Sequence, residues 1–243
     1  MRTFASPNHD ARPGDAAVDT LVLHYTGMRD SESAVARLVD PAAKVSAHYF
    51  VDEDGEVLQL VSEERRAWHA GVSSWRGRTD INGCSIGIEL ANPGHEFGYR
   101  AFPERQMKAF FQLATAVLAR HPIPRERVLG HSDVAPSRRR DPGELFDWRG
   151  AAAEGIGVWP GSFSLPPLES GVFLAQGSAG GQVRSAQSRL ARIGYEIVPT
   201  GEFDALTKDV VIAFQRHFRP ERVDGIIDSE TDRRLNVLVD GHG

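Results

Sequence analysis

Four residues of this chain have the types that metal-assisted hydrolysis needs. His24 lies in the run TLVLHY, His131 in LGHSD, Asp141 in RRRDPG and Glu89 in SIGIEL. Two imidazoles and one carboxylate leave a coordination position of zinc open, as a hydrolytic metal requires for its water. Glu89, held on a strand beside such an ion rather than on it, has the chemistry of a general base. The ligands are scattered and lack the compact helical HExxH pattern, so each keeps a plainer reading. His24 also reads as a half-buried strand histidine bonded to backbone, and Asp141 as an N-cap or turn aspartate before Pro142 and Gly143. His131 follows the short apolar segment VLG and leaves it at a turn, where functional side chains are commonly presented.

The segments that must position these residues alternate between extended and helical patterns. Residues 21–25 read as a buried strand, and residues 31–39 as a short helix capped by Ser31. Residues 48–51 and 57–61 flank DEDG, which predicts a hairpin with Gly55 at positive φ. Residues 85–90 form the next apolar run and are expected to lie centrally. Met107, Phe110, Phe111, Ala114, Val117 and Leu118 recur at steps of three and four. That spacing predicts an amphipathic helix starting near Pro103, with the aromatic stripe in the core. The order implies an α/β fold over residues 1–160, a mixed central β-sheet flanked by helices.

Residues 161–181 are rich in Pro, Gly and Ser and read as a linker. Residues 182–243 form a second unit, a small three-helix all-α domain. TGEFDALT and DGIIDSET within it share G-x-[FI]-D-x-x-T, which predicts Asp204 and Asp228 as helix caps and Phe203 and Ile227 as buried neighbours.

The chain has 243 residues, 41% hydrophobic and 25% charged, enough for one substantial core and a smaller one. Its formal net charge of -5 argues against a general nucleic-acid binder, although Arg138, Arg139 and Arg140 form a basic run. A basic loop beside a metal suits an oxyanion or an acidic substrate. The single cysteine, Cys84, rules out an intramolecular disulfide framework and reads as a small buried hydrophobe. No apolar stretch approaches the roughly 20 residues needed to span a bilayer, and the start, MRTFASPNHDARPGD, has no apolar h-region of a secretory signal.

Six segments carry a family resemblance: LVLHYT, KVSAHYFVDEDGEVLQLV, AWHAGVSSWRGR, NGCSIGIEL, GHSDVAP and RRRDPGELFDW. In this order, and with the ten-residue step from His131 to Asp141, they resemble the zinc-dependent N-acetylmuramoyl-L-alanine amidases of the type-2 family, related in fold to the peptidoglycan recognition proteins. Residues 183–238 resemble the three-helix peptidoglycan-binding domain. The resemblance implies one zinc ion held by His24, His131 and Asp141, with Glu89 as catalytic glutamate. Arg139 stands where the amidases typically carry an oxyanion-stabilising lysine. Lys44 matches a basic position that contacts peptide carboxylates. His48, Trp68, His69, Arg78 and Asn82 are further substrate-binding candidates, and Trp75 is a candidate for stacking on sugar.

The implied substrate is peptidoglycan or a muropeptide, cut at the amide between N-acetylmuramic acid and L-alanine. The wall-binding module favours the cell envelope or periplasm, while the absence of a visible signal leaves the cytoplasm open. Two rival readings are a recognition protein that binds cell wall without cutting it, which the filled ligand positions oppose, and a muramidase, which uses paired carboxylates and no zinc. The linker predicts that the second domain acts as a separable tether, raising the local enzyme concentration on polymer.

Overall fold

A computed structural model describes residues 1–14, 17–162 and 171–240. Residues 163–170 of the expected linker lie outside the described residues, as do 15–16 and 241–243 of the expected domains. In chain order the first unit begins β1 (Arg2–Thr3), β2 (His9–Ala11), β3 (Thr20–Tyr25), α1 (Ser31–Val39), β4 (Tyr49–Val51), β5 (Val57–Gln59) and β6 (Arg65–Ala67). It continues with α2 (Ile81–Cys84), β7 (Ser85–Leu90), α3 (Gly94–Phe97), α4 (Glu104–Arg120), β8 (Val128–Gly130), α5 (His131–Val134) and α6 (Trp148–Ala153). Six strands form one mixed sheet in the order β1-β5-β4-β7-β3-β8.

Side-chain alternation divides the work between the two faces of this sheet. On one face Leu21 and Leu23 of β3 join Ile86, Ile88 and Leu90 of β7 in a core with Met107, Phe110, Ala114 and Val117 of α4. Phe111 and Leu118 lie half-buried against the same core. The other face carries Thr20, Val22 and His24 from β3, and Ser85, Gly87 and Glu89 from β7. The parallel register sets His24 beside Glu89 and Val22 beside Gly87, so two chemically active side chains become neighbours on one face.

The hairpin of β4 and β5 is antiparallel, with Gly55 in its turn at φ 91°. At the start of α1 the cap is Asp30 rather than the expected Ser31: Asp30 Oδ1 accepts from Ser33 N at 2.7 Å. Ser31 is already helical, and its hydroxyl donates to Asp52 at 2.5 Å. A carboxylate one position earlier is the better acceptor for the free amides of the first turn.

The second unit contains β9 (Phe173–Leu174), α7 (Gly181–Ile193), α8 (Ala205–Phe218), β10 (Ile227–Asp228) and α9 (Ser229–Asp240). Asp204 accepts from Thr207 N at 2.8 Å and Asp228 from Thr231 N at 3.0 Å, while Phe203 and Ile227 are buried. The repeat motif therefore builds the same cap twice. Leu174 pairs with Ile227, so residues 173–174, read as linker from composition, form part of this unit.

The two units do not behave as a bead on a string. Val22, Trp75, Ile81, Leu129 and Val134 of the first share one apolar cluster with Val183, Leu190, Tyr195 and Phe214 of the second. Arg76 N donates to Gly194 O at 2.8 Å, and Arg76 Nε to Ile193 O at 3.1 Å. Gly194 leaves the space filled by the Trp75 ring, since a Cβ there would overlap it. The helical unit covers apolar residues on the functional face of the sheet that would otherwise meet water, a requirement that linker composition could not reveal.

Candidate functional site

His24 near the end of β3, His131 at the start of α5 and Asp141 in the following loop converge, all three buried. His24 Nδ1, His131 Nδ1 and Asp141 Oδ2 form a triangle with all three sides at 3.0 Å. Tetrahedral zinc, with bonds of about 2.0–2.1 Å, sets its ligand atoms roughly 3.3 Å apart. The triangle is close to that size.

Hydrogen-bond partners assign the tautomers of both imidazoles. Ser85 Oγ donates to Ile81 O at 2.6 Å, so it accepts from His69 Nε2 at 3.2 Å. His69 Nδ1 is then an acceptor, and His24 Nε2 donates to it across 3.1 Å. This leaves the lone pair of His24 on Nδ1. His131 Nε2 donates to Ala70 O at 3.0 Å, which likewise leaves its lone pair on Nδ1. Two imidazole lone pairs and a carboxylate oxygen thus face one point, an arrangement that a cation stabilises. The donor set, its spacing and its tautomers fit a metal ion.

Electrostatics agree with a neutral His24 imidazole. Burial, and then the neighbouring His131, push His24 down to about 4. Burial and the surrounding His24 and His48 hold His69 well below the usual imidazole range. Burial alone would raise the Asp141 carboxyl, but His131 and His24 against it hold it well below the ordinary carboxylate range. Glu89 behaves oppositely. Burial first, and the negative charge of Asp141 second, raise it well above the ordinary value, with Arg139 opposing. Its Oε2 is buried without a hydrogen-bond partner.

These residues line a cleft of about 790 Å³. Arg139 lies exposed on its wall, close enough for its charge to act on both His24 and Glu89. Arg138 donates through Nη2 to Ala70 O at 2.8 Å, the same carbonyl that fixes His131, and to Val72 O. Trp68 and His69 also line the cleft, although both ring nitrogens of His69 already have partners.

The other substrate-binding candidates sit elsewhere. His48 is fully buried: Nδ1 accepts from Gly87 N at 2.9 Å, so Nε2 donates to Arg65 O at 3.0 Å. Asn82 is buried, and its Oδ1 accepts from His69 N and Ala70 N at 3.0 and 2.8 Å, so it orders the loop that carries His69. Arg78 pairs with Asp19 at 2.9 Å away from the cleft, and Lys44 is exposed outside the cleft lining. Trp75 is buried against Tyr195 with ring centroids 4.9 Å apart, so it belongs to the junction of the two units.

Several further residues around the site were not singled out from the sequence, although Gly87 and Asp133 lie within matching segments. Gly87 is required because a Cβ there would stand 2.5 Å from His69 Cγ. Arg216 of α8 reaches the cleft from the helical unit. Asp133, two residues after His131, bonds to Tyr195 and His217 of that unit.

Three buried donor atoms of the types that bind metals lie beside the unpartnered Glu89 Oε2 on one face of a mixed sheet, a site suited to metal-assisted hydrolysis. Residues 14–144 match the family described as N-acetylmuramoyl-L-alanine amidase, and residues 179–235 match a family of peptidoglycan binding domains. The N-acetylmuramoyl-L-alanine amidase AmiD of Escherichia coli is 37% identical over 243 residues, spanning 93% of this chain and 84% of the relative. The 1,6-anhydro-N-acetylmuramyl-L-alanine amidase AmpD of Citrobacter freundii is 35% identical over 164 residues, 60% of this chain and 86% of the relative. Among solved structures, E. coli AmiD in complex with the substrate anhydro-N-acetylmuramic acid-L-Ala-D-gamma-Glu-L-Lys superposes with a TM-score of 0.79, covering 96% of this chain and 93% of that one at 37% identity. AmpDH3 of Pseudomonas aeruginosa in complex with anhydromuramic pentapeptide gives 0.77 at 30% identity, covering 95% and 94%. The chain belongs to the N-acetylmuramoyl-L-alanine amidase family, whose members hydrolyse the amide between N-acetylmuramic acid and L-alanine in peptidoglycan or muropeptides.

Proposed function

We propose that this amidase works with one zinc ion held by His24, His131 and Asp141, with Glu89 as general base and acid and Arg139 as the oxyanion-stabilising cation. The observation that carries the reading is the convergence of three donor atoms at 3.0 Å beside the unpartnered Glu89 Oε2. Zinc bound there supplies Lewis acidity, polarising the scissile carbonyl and lowering the pKa of a water toward about 7. Glu89 takes the proton of the attacking water and returns it to the departing L-alanine nitrogen. Its high proton affinity, set by burial and Asp141, suits the return step. Arg139 offers its guanidinium to the oxyanion that develops at the carbonyl, an interaction worth about 3 to 4 kcal/mol for a well-placed donor.

The substrate we assign is an anhydromuramyl peptide or the corresponding peptidoglycan unit, carried over from the AmiD and AmpDH3 complexes. Arg37, Arg138, Arg139, Arg140 and Arg216 line the cleft and suit the carboxylates of such a peptide. The site of action we assign is the cell wall or its fragments; among the described residues no helix is long and apolar enough to cross a membrane. Mass spectrometry of products from a purified muropeptide tests the reading. The expected product is a peptide with a new amino-terminal L-alanine, and a strong chelator abolishes its formation. Release of a new reducing end, or chelator-insensitive cleavage, would instead favour a muramidase.

A further inference from the structure

Asp133 is held by three partners beside the site, yet it is neither one of the proposed metal ligands nor part of the cleft lining. Its side chain is fully buried. Oδ2 accepts from Gly130 N at 2.7 Å, on the residue just before His131. The same oxygen stands 2.7 Å from His217 Nδ1, and Oδ1 accepts from Tyr195 OH at 2.7 Å. Two of its three donors therefore come from the helical unit, one at the end of α8 and one just after α7.

Neighbouring contacts make this clamp rigid. The His217 ring is stacked between Trp148 of the first unit, with centroids 3.6 Å apart, and Phe218 on its other side at 3.8 Å. Tyr195 is held edge-on by Trp75. Within the clamped turn, Ser132 N donates to Asp141 O at 2.9 Å, so the two ligand-bearing segments are tied together. A displacement of Asp133 is thus passed to both His131 and Asp141.

We propose that Asp133 is a positioning residue for His131, and that through Tyr195 and His217 the helical unit forms part of the metal site rather than serving only as a wall-binding appendage. The inference rests on the zinc reading above. A buried carboxylate stays in place while donors satisfy it, and loses its defined orientation when they are removed without admitting water. His131 Nδ1 then no longer stays at 3.0 Å from its partners.

The test uses the full chain carrying Tyr195→Phe together with His217→Phe, which remove the two donors but keep flat rings in the same stacks. Zinc release to a colorimetric chelator, and kcat and KM on a soluble muropeptide, are compared with wild type. Arg189→Gln serves as control: Arg189 pairs with Asp232 in the same unit and makes no bond to Asp133. The expected result is zinc release faster by about 10- to 100-fold, the usual cost of disturbing the outer shell of a metal site. kcat falls by a similar factor, KM stays within about twofold, and the control matches wild type. If the double variant does not fold, Tyr195→Phe alone carries the test with a smaller effect in the same direction. A folded variant with wild-type release and kcat overturns the inference, as does an equal change in the control. Wild-type protein that takes up no zinc overturns the zinc reading and this inference with it; zinc-loaded wild type with unaltered variants overturns this inference alone.

Discussion

Adding one methyl group at position 87 should damage the proposed metal site without touching a proposed ligand. Gly87 lies on the functional face of β7, and a Cβ there would stand 2.5 Å from His69 Cγ and 2.7 Å from Cδ2 and Nδ1. Carbon contacts relax near 3.5–4.0 Å, so in Gly87→Ala the imidazole must withdraw by about 1 Å. His69 is buried and bonded on both sides, to His24 at 3.1 Å and Ser85 at 3.2 Å. A shift of that size breaks or badly bends both bonds. Overpacking costs about 1–3 kcal/mol, and two weakened neutral hydrogen bonds add about 1–2 kcal/mol. A loss of about 2–5 kcal/mol in stability follows, readable as a lower urea midpoint at unchanged m-value. Because His69 fixes the tautomer that points the His24 lone pair at the proposed metal position, zinc affinity should fall by about 10- to 100-fold in a chelator competition. A folded Gly87→Ala protein with wild-type zinc affinity would refute the claim that His69 orients His24.

Other outcomes follow from single groups. Glu89→Ala should keep its zinc and lose about a hundredfold or more in turnover, measured on a soluble muropeptide. Glu89→Gln should make the metal-free protein more stable near pH 7. The Glu89 carboxyl is raised in the fold, so the stability it allows is complete below its unfolded pKa of about 4.5 and is lost as pH rises through the folded value. The urea midpoints of variant and wild type should therefore converge below about pH 4.5. Glu63 works in the reverse sense: burial opposes its ionisation, but Arg120, Tyr49 and His121 more than offset it and hold the carboxyl at about 2. Its contribution is present above about pH 4.5 and lost as pH falls toward 2, so Glu63→Gln should flatten the acid limb of the stability curve. The change should be modest, since the group is partly exposed.

Much of the architecture was legible because it rests on local periodicity. The stripe from Met107 to Val117 gave the buried face of α4, and the duplicated G-x-[FI]-D-x-x-T marked both caps of the helical unit. SIGIEL carried more information than an apolar run: its alternate positions Ser85, Gly87 and Glu89 are the functional face, while Ile86, Ile88 and Leu90 fill the core. The candidate ligands were recognisable by type, but their convergence depends on strand register between segments far apart in sequence. His48 and Asn82 looked like cleft residues because they sit in matching segments, yet depth in the fold is not a local property of sequence. Asp133 lies in the matching segment GHSDVAP, but its role was hidden, since its partners lie 62 and 84 positions away in the second unit. Composition around residues 161–181 suggested separation for the same reason: a linker reports its own polarity and says nothing of the apolar surface that waits for the helices at its end.

Metal content after reconstitution tests the central claim most directly. Wild-type protein and Glu89→Ala, each loaded with zinc, freed of excess by gel filtration and analysed by mass spectrometry of the metal, should both carry about one zinc per chain, whereas His131→Ala should carry almost none. A wild-type value well below one, or a His131→Ala protein that retains a full equivalent, would contradict the assignment of His24, His131 and Asp141 as the ligands of a catalytic zinc.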